Sequence, residues 1–221
     1  MEFSEFNNPE IAKELIRQIK ALPVEDMRLM EVCGTHTFQI AKLGLRDALE
    51  DKVEFLSGPG CPVCVTSMPD VDKIIQLAKM DDTIIATFGD MIKVPGSASS
   101  LAKERAEGAD VRVLYSPLDS LQIAEENPDK QVILIGIGFE TTTPLIASTI
   151  IRAKALGLKN FSVFSINKNM PHALRLLLQD SDLRLDGMLL PGHVSTILGT
   201  APYNFIAEEF HIPGVIAGFE L

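Results

Sequence analysis

The 221-residue chain has only three cysteines, no cluster of Lys and Arg, no long apolar run and no low-complexity stretch. Each shortage removes a class of protein. Three cysteines, two of them only three positions apart, cannot make the stapling framework of a secreted domain, and in a reducing compartment such residues point to metal or redox chemistry. A net charge of -10 without clustered cations excludes a nucleic-acid surface or an anionic membrane as partner. No stretch approaches the ~18 apolar residues of a membrane span. The N-terminus, Met1-Glu2-Phe3-Ser4-Glu5, is acidic where a secretory leader is basic. These features point to a cytosolic protein.

What is present is a repeating pattern. Ile11, Leu15, Ile16 and Ile19 recur at helical spacing behind the start signal Asn8-Pro9, which predicts an amphipathic helix over 9–21. From Met27 onward, an apolar strand, a loop rich in Gly, Pro, Ser or Thr, and a helix recur eight times, with only a strand in the last unit. The strands read as Leu29 to Val32, Val53 to Leu56, Thr83 to Thr87, Val111 to Tyr115, Val132 to Ile137, Phe161 to Ile166, Gly187 to Leu190 and Gly214 to Ala217. Short, nearly continuous apolar runs suit parallel strands buried on both faces. Ser116-Pro117, Thr143-Pro144 and Thr200 before Pro202 read as helix starts, and Gly108 and Gly157 as helix stops. Alternating βα units gather every strand's C-terminal loop at one sheet edge.

Eight strands could close a barrel, but a barrel needs ~250 residues and eight complete units. The expected fold is therefore α/β, with two open, mostly parallel four-stranded sheets flanked by helices. Residues 52–155 are expected to form one domain, carrying the Cys61-Pro62-Val63-Cys64 loop. Residues 1–51 with 156–221 form the other, discontinuous domain, which carries the Cys33 loop. The chain stops at Gly218-Phe219-Glu220-Leu221, directly after a strand with no covering helix, and so reads as part of a longer protein.

The chemistry-bearing residues fall in the loops. Cys33 opens Cys33-Gly34-Thr35-His36-Thr37, where Gly34 and Thr35 make a tight turn and Thr37 is placed to cap the next helix. Cys61 and Cys64 follow Gly58-Pro59-Gly60, and Ser67-Met68-Pro69-Asp70 beyond them starts a helix whose N-terminus favours a thiolate. Cys33-x2-His36, a 24-residue interval and Cys61-x2-Cys64 also match a four-ligand zinc set. A dithiol oxidoreductase of the thioredoxin kind is a further reading of the cysteine pair. Asp90, Glu140 and His193 stand just beyond apolar strands and are candidates for binding or proton transfer. Gly136-x-Gly138 lacks the third glycine of a dinucleotide fingerprint, and Glu140 would repel phosphate.

Five blocks in order resemble the HypD family of hydrogenase maturation factors: Glu31-Val32-Cys33-Gly34-Thr35-His36-Thr37, Gly58-Pro59-Gly60-Cys61-Pro62-Val63-Cys64, Thr87-Phe88-Gly89-Asp90-Met91 with Val94-Pro95-Gly96, Gly138-Phe139-Glu140-Thr141-Thr142, and Pro191-Gly192-His193-Val194-Ser195. The resemblance runs from Met30 to Glu220. It implies a scaffold on which an iron atom receives cyanide and carbon monoxide, as Fe(CN)2CO, for a [NiFe]-hydrogenase. Its implied partners are a HypC-like small chaperone and a HypE-like cyanide donor. On this resemblance Cys33, helped by His36, holds the iron, and Cys61 and Cys64 handle electrons; Gly34, Thr35, Thr37 and Gly60 are the expected cofactor-binding residues. The family is similar in carrying a C-terminal [4Fe-4S] region; three cysteines in two loops cannot build an all-cysteine cluster.

Overall fold

The computed structural model describes residues 8–219; the acidic start Met1–Glu5 and the closing Glu220-Leu221 lie outside the described residues. The fold is α/β, with two four-stranded, all-parallel sheets flanked by helices. The chain divides into two compact units, Met1–Cys61 with Met170–Leu221, and Pro62–Asn169.

In the first unit, α1 (Pro9–Lys20) is capped by the Asn8 side chain, which accepts the Glu10 N–H, and Pro9 occupies the first turn, where its missing N–H costs nothing. Next come β1 (Met27–Glu31), α2 (Gly34–Lys42), α3 (Leu45–Ala48) and β2 (Val53–Ser57). The second unit consists of α4 (Met68–Ala78), β3 (Thr83–Phe88), α5 (Leu101–Ala106), β4 (Asp110–Leu114), α6 (Asp119–Glu126), β5 (Gln131–Gly136), α7 (Thr143–Leu156) and β6 (Phe161–Ser165). The chain then returns to the first unit as α8 (Met170–Leu178), β7 (Gly187–Pro191), α9 (Gly192–Leu198), a short 3-10 turn, α10 (Asn204–Glu208) and β8 (Gly214–Ala217).

The strand orders are β2-β1-β7-β8 and β4-β3-β5-β6. Both follow one rule: the second strand lies on one side of the first, and the third and fourth lie on the other. One unit is thus inserted, whole, between the second and third strands of a unit of the same topology. This differs from the sequence expectation for two strands. Val53–Ser57 pairs with β1, and Phe161–Ser165 pairs with β5. The physical reason is that strands joined by a single crossover usually lie side by side, while no change of composition marks where the chain passes between sheets.

Side-chain alternation explains the burial in the second unit. Along β3, Ile84 and Ala86 face one layer with Leu114, Val132 and Leu134, while Ile85 faces the other with Ile74, Met91, Leu101 and Ile135. Both faces are covered, as parallel sheets require. Helix signals are only partly as expected. Ser67 caps α4 by accepting the Asp70 N–H, and Gly157 ends α7 with φ +72. Thr143 lies inside α7, and the Thr142 hydroxyl donates to the Phe139 carbonyl and caps nothing. At 115–119 the Ser116 hydroxyl accepts the Leu118 N–H at 3.3 Å, and the Asp119 carboxylate accepts the Tyr115 and Ser116 N–H groups. Thr200 makes no side-chain cap. Among the described residues no helix is long and apolar enough to cross a membrane.

Leu134 is fully buried in the second unit, whereas Val215 is 62% exposed on the edge strand β8. Leu134→Ala is expected to cost about 2–5 kcal/mol and Val215→Ala less than about 0.5 kcal/mol in denaturant titrations. Equal losses would show that the packing is not as described.

Candidate functional site

In the order β2-β1-β7-β8 the chain leaves β1 for β2 and later returns on the other side of β1 to β7. The loops after β1 and β7 therefore part, which is where open α/β sheets form crevices. Cys33 follows β1 and His193 follows β7. The first unit thus offers a thiol and an imidazole at its own switch point.

Cys33 is the N-cap of α2, a place the sequence reading gave to Thr37, which lies within the helix. Its sulfur accepts the Thr35 N–H at 3.4 Å, so a thiolate there would meet a backbone donor and the positive end of the helix. The residue is buried, and its backbone sits at φ 124, ψ 130. A non-glycine residue in that region stores on the order of 1–3 kcal/mol. The surroundings hold it there. Val32 N–H donates to the Leu189 carbonyl at 2.9 Å, and the Cys33 carbonyl receives the His36 and Thr37 N–H groups at 3.0 and 3.3 Å.

The second cysteine loop is packed against the first by backbone alone. A Cβ placed on Gly60 would lie 2.6 Å from Gly34 N and 2.7 Å from Cys33 Cα. Only glycine fits. The contact brings the Cys61 Cα to within about 8 Å of the Cys33 Cα. Upstream, Gly58 N–H donates to the Glu31 carbonyl at 2.8 Å, which continues the β1–β2 ladder into the loops.

A third strand end closes on the same residues. His36 Nε2 lies 3.0 Å from the Gly218 carbonyl oxygen, and Nδ1 lies 3.3 Å from the Val32 carbonyl oxygen. Both ring nitrogens thus face backbone oxygens. The rings of His36 and His193 lie 4.9 and 5.2 Å from the Phe219 ring. Partial desolvation, reinforced by the electrostatic influence of the neighbouring His36 imidazole, holds His193 below the ordinary histidine value. A Cβ on Gly192 would meet the Ala217 carbonyl oxygen at 2.7 Å, so this loop too is fitted to its neighbour through a glycine.

Cys33, His36, Gly34, Thr35, Thr37, Gly60, Cys61 and His193 therefore belong to one unit. Cys64, Asp90 and Glu140 belong to the other, and the division of the chain falls inside the cysteine pair, between Cys61 and Pro62. Val63 packs on the second unit's core. Asp90 is exposed in the turn after β3, and Glu140 is buried in the loop after β5. The Val94-Pro95-Gly96-Ser97 block has a structural explanation. Asp72 of α4 accepts the Ser97 N–H and hydroxyl at 2.7 and 2.6 Å, and these bonds hold its carboxyl below the usual range.

Among the described residues no group of three or more His, Cys, Asp or Glu side chains is placed to hold a metal ion. To act as a metal ligand His36 would have to give up a carbonyl contact. A [4Fe-4S] cluster ligated by cysteine alone does not fit these residues, because it needs four thiolates and they hold three cysteines. Sequence reasoning missed Glu31, Ser57, Arg46 and Phe219. Glu31 was the one with a signal: a carboxylate in the otherwise apolar run Leu29-Met30-Glu31-Val32.

The fold and site define a class: a pair of alike parallel α/β units in which a strained cysteine and a glycine-fitted second cysteine loop meet at strand ends. Comparison with known proteins gives the class its family. The family model described as "HypD: Hydrogenase formation hypA family" matches residues 10–221, and the chain belongs to that family. It is 46% identical over 224 residues to the hydrogenase maturation factor HypD of Rhodobacter capsulatus, covering 98% of this chain and 59% of that protein. The factor of the same name from Escherichia coli (strain K12) is 45% identical over 98% of this chain and 60% of its own length. A putative hydrogenase expression/formation protein of Methanocaldococcus jannaschii is 38% identical over 97% of this chain and 60% of its own. The chain thus spans about three-fifths of the curated relatives it matches.

Two tests follow from the geometry. Gly60→Ala forces a Cβ into fixed backbone and is expected to cost about 1–3 kcal/mol, whereas Gly34→Ala, with nothing within 4 Å of its Cβ, should be close to neutral; equal melting midpoints would contradict the fit. For His193, a lowered folded value means the neutral ring is favoured in the native state. Its contribution is therefore complete above about pH 6.5, the unfolded value, and is lost as pH falls below it. His193→Gln should leave stability near neutrality unchanged and reduce the loss seen below that pH in urea titrations.

Proposed function

We propose that this chain acts as a hydrogenase maturation scaffold and that Cys33 holds the iron atom on which cyanide and carbon monoxide are assembled. Iron is here cargo. The single observation that carries the reading is Cys33 itself: a buried cysteine kept in a strained conformation at a helix N-terminus. Strain of that kind persists only where the surroundings over-determine it, and it gathers at functional positions. A soft thiolate suits a low-spin iron carrying strong-field ligands. Family membership supports the same reading.

Each neighbouring group has a part in this account. Thr35 N–H donates to the sulfur, and Thr37 and His36 N–H groups fix the Cys33 carbonyl. His36 ties the end of β8 to the site and would become a second ligand only by exchanging a carbonyl contact. His193, whose protonation is disfavoured by partial burial, is read as a proton-handling group of the same unit. Cys61 and Cys64 are read as a dithiol/disulfide pair, with Gly60 setting Cys61 beside Cys33. Asp90 and Glu140 are read as proton-handling groups of the second unit. A further iron ligand comes from a small HypC-like chaperone, and cyanide from a HypE-like donor, in a cytosolic setting.

Cys33→Ala is expected to abolish the infrared bands of bound cyanide and carbon monoxide in the complex with the small partner, while circular dichroism stays that of the parent. Intact bands would sink the assignment.

A further inference from the structure

Glu31 has no part in the chemistry described above, yet it stands two residues before Cys33 and its side chain is fully buried. Its Oε1 accepts from Arg46 Nη2 at 2.8 Å and from the Ser57 hydroxyl at 2.9 Å. Arg46 also donates to the Phe55 carbonyl, at 2.5 Å, and its guanidinium lies 5.9 Å from the centre of the Phe55 ring. Oε2 is buried with no hydrogen-bond partner among the described residues.

This is a costly arrangement for a residue that stabilises the fold alone. A buried carboxylate with one oxygen unpaired keeps part of its desolvation penalty, and buried ion pairs can often be replaced by apolar residues at little or no loss. The Arg46 side chain is 40% exposed, so water would solvate it if Glu31 were gone. What the carboxylate does gain is connection. Ser57 is the register partner of Glu31, the last pair of the β1–β2 ladder, and the Glu31 carbonyl accepts the Gly58 N–H. From Glu31 the chain runs directly into Cys33, and from Ser57 directly into Gly60 and Cys61.

We infer that Glu31 is a positioning residue: it clamps the ends of β1 and β2 together through Arg46 and Ser57 and so fixes the separation of Cys33 and Cys61. The clamp acts through hydrogen bonds to Oε1. Its purpose rests on the reading of Cys33 as the working thiol, but its geometry is tested on metal-free protein, where failure of the iron assignment has no effect.

The experiment measures cross-linking of Cys33 to Cys61 by dibromobimane, which fluoresces only when both arms alkylate thiols, in a Cys64→Ser parent. The parent should cross-link. Glu31→Leu should melt no lower than the parent yet cross-link at least about tenfold more slowly, since displacements near 1 Å have effects of that order or larger. Glu31→Gln, which keeps an oxygen for Arg46 and Ser57, should restore cross-linking to within about twofold of the parent, a rescue that general loosening of the fold would not produce. A parent that does not cross-link, Glu31→Leu at the parent rate, or Glu31→Gln no faster than Glu31→Leu would each overturn the inference. If Glu31→Leu fails to unfold cooperatively, Ser57→Ala decides. That variant should slow cross-linking about threefold through loss of one hydrogen bond, and an unchanged rate overturns the clamp.

Discussion

The parallel pairing of β1 with β2, in register from Met27 with Val53 to Glu31 with Ser57, places the two cysteine loops of the first unit side by side. Everything at the site descends from that register. Because side chains alternate along a strand, a slip of one residue would carry Glu31 away from Arg46 and Ser57 and move Gly60 off Cys33. Gly60 then makes the register exclusive, since any side chain there would push the loops apart.

The site combines rigidity with stored cost. Cys33 sits in a conformation that cysteine rarely adopts, and Glu31 is buried with one oxygen unpaired among the described residues. Neither would be chosen for stability alone. Both are held by the hydrogen-bonded ladders of the β2-β1-β7-β8 sheet, whose stability offsets them.

Insertion of one unit into another of like topology also explains the distribution of motifs. Each unit has its own switch point, with Cys33 and His193 at one and Asp90 and Glu140 at the other. The crossing of the chain from the first unit to the second falls between Cys61 and Pro62. Thus the cysteine pair is shared between units, Gly60 and Cys61 being fitted to the first and Val63 to the core of the second.

Much of this was legible without coordinates. The apolar runs of eight strands and the loop chemistry at their C-terminal ends are local properties, and periodicity reports them directly; β8 falls at Gly214–Ala217 and α1 begins at the Asn8-Pro9 signal, as read. The motif blocks were legible for the same reason. Strand partners were not, because pairing is decided by crossover geometry and by complementary faces distant in sequence, so β2 and β6 lie in the opposite sheets to those expected. Nor could the sequence show that His36 faces carbonyls of Val32 and Gly218, that Gly60 touches Cys33, or that the carboxylate of Glu31 finds Arg46 and Ser57. Composition and period determined that this is a repeated α/β protein with thiols at strand ends. Only the tertiary structure decided which loops meet, because burial and backbone contact depend on packing across the chain and leave no local mark.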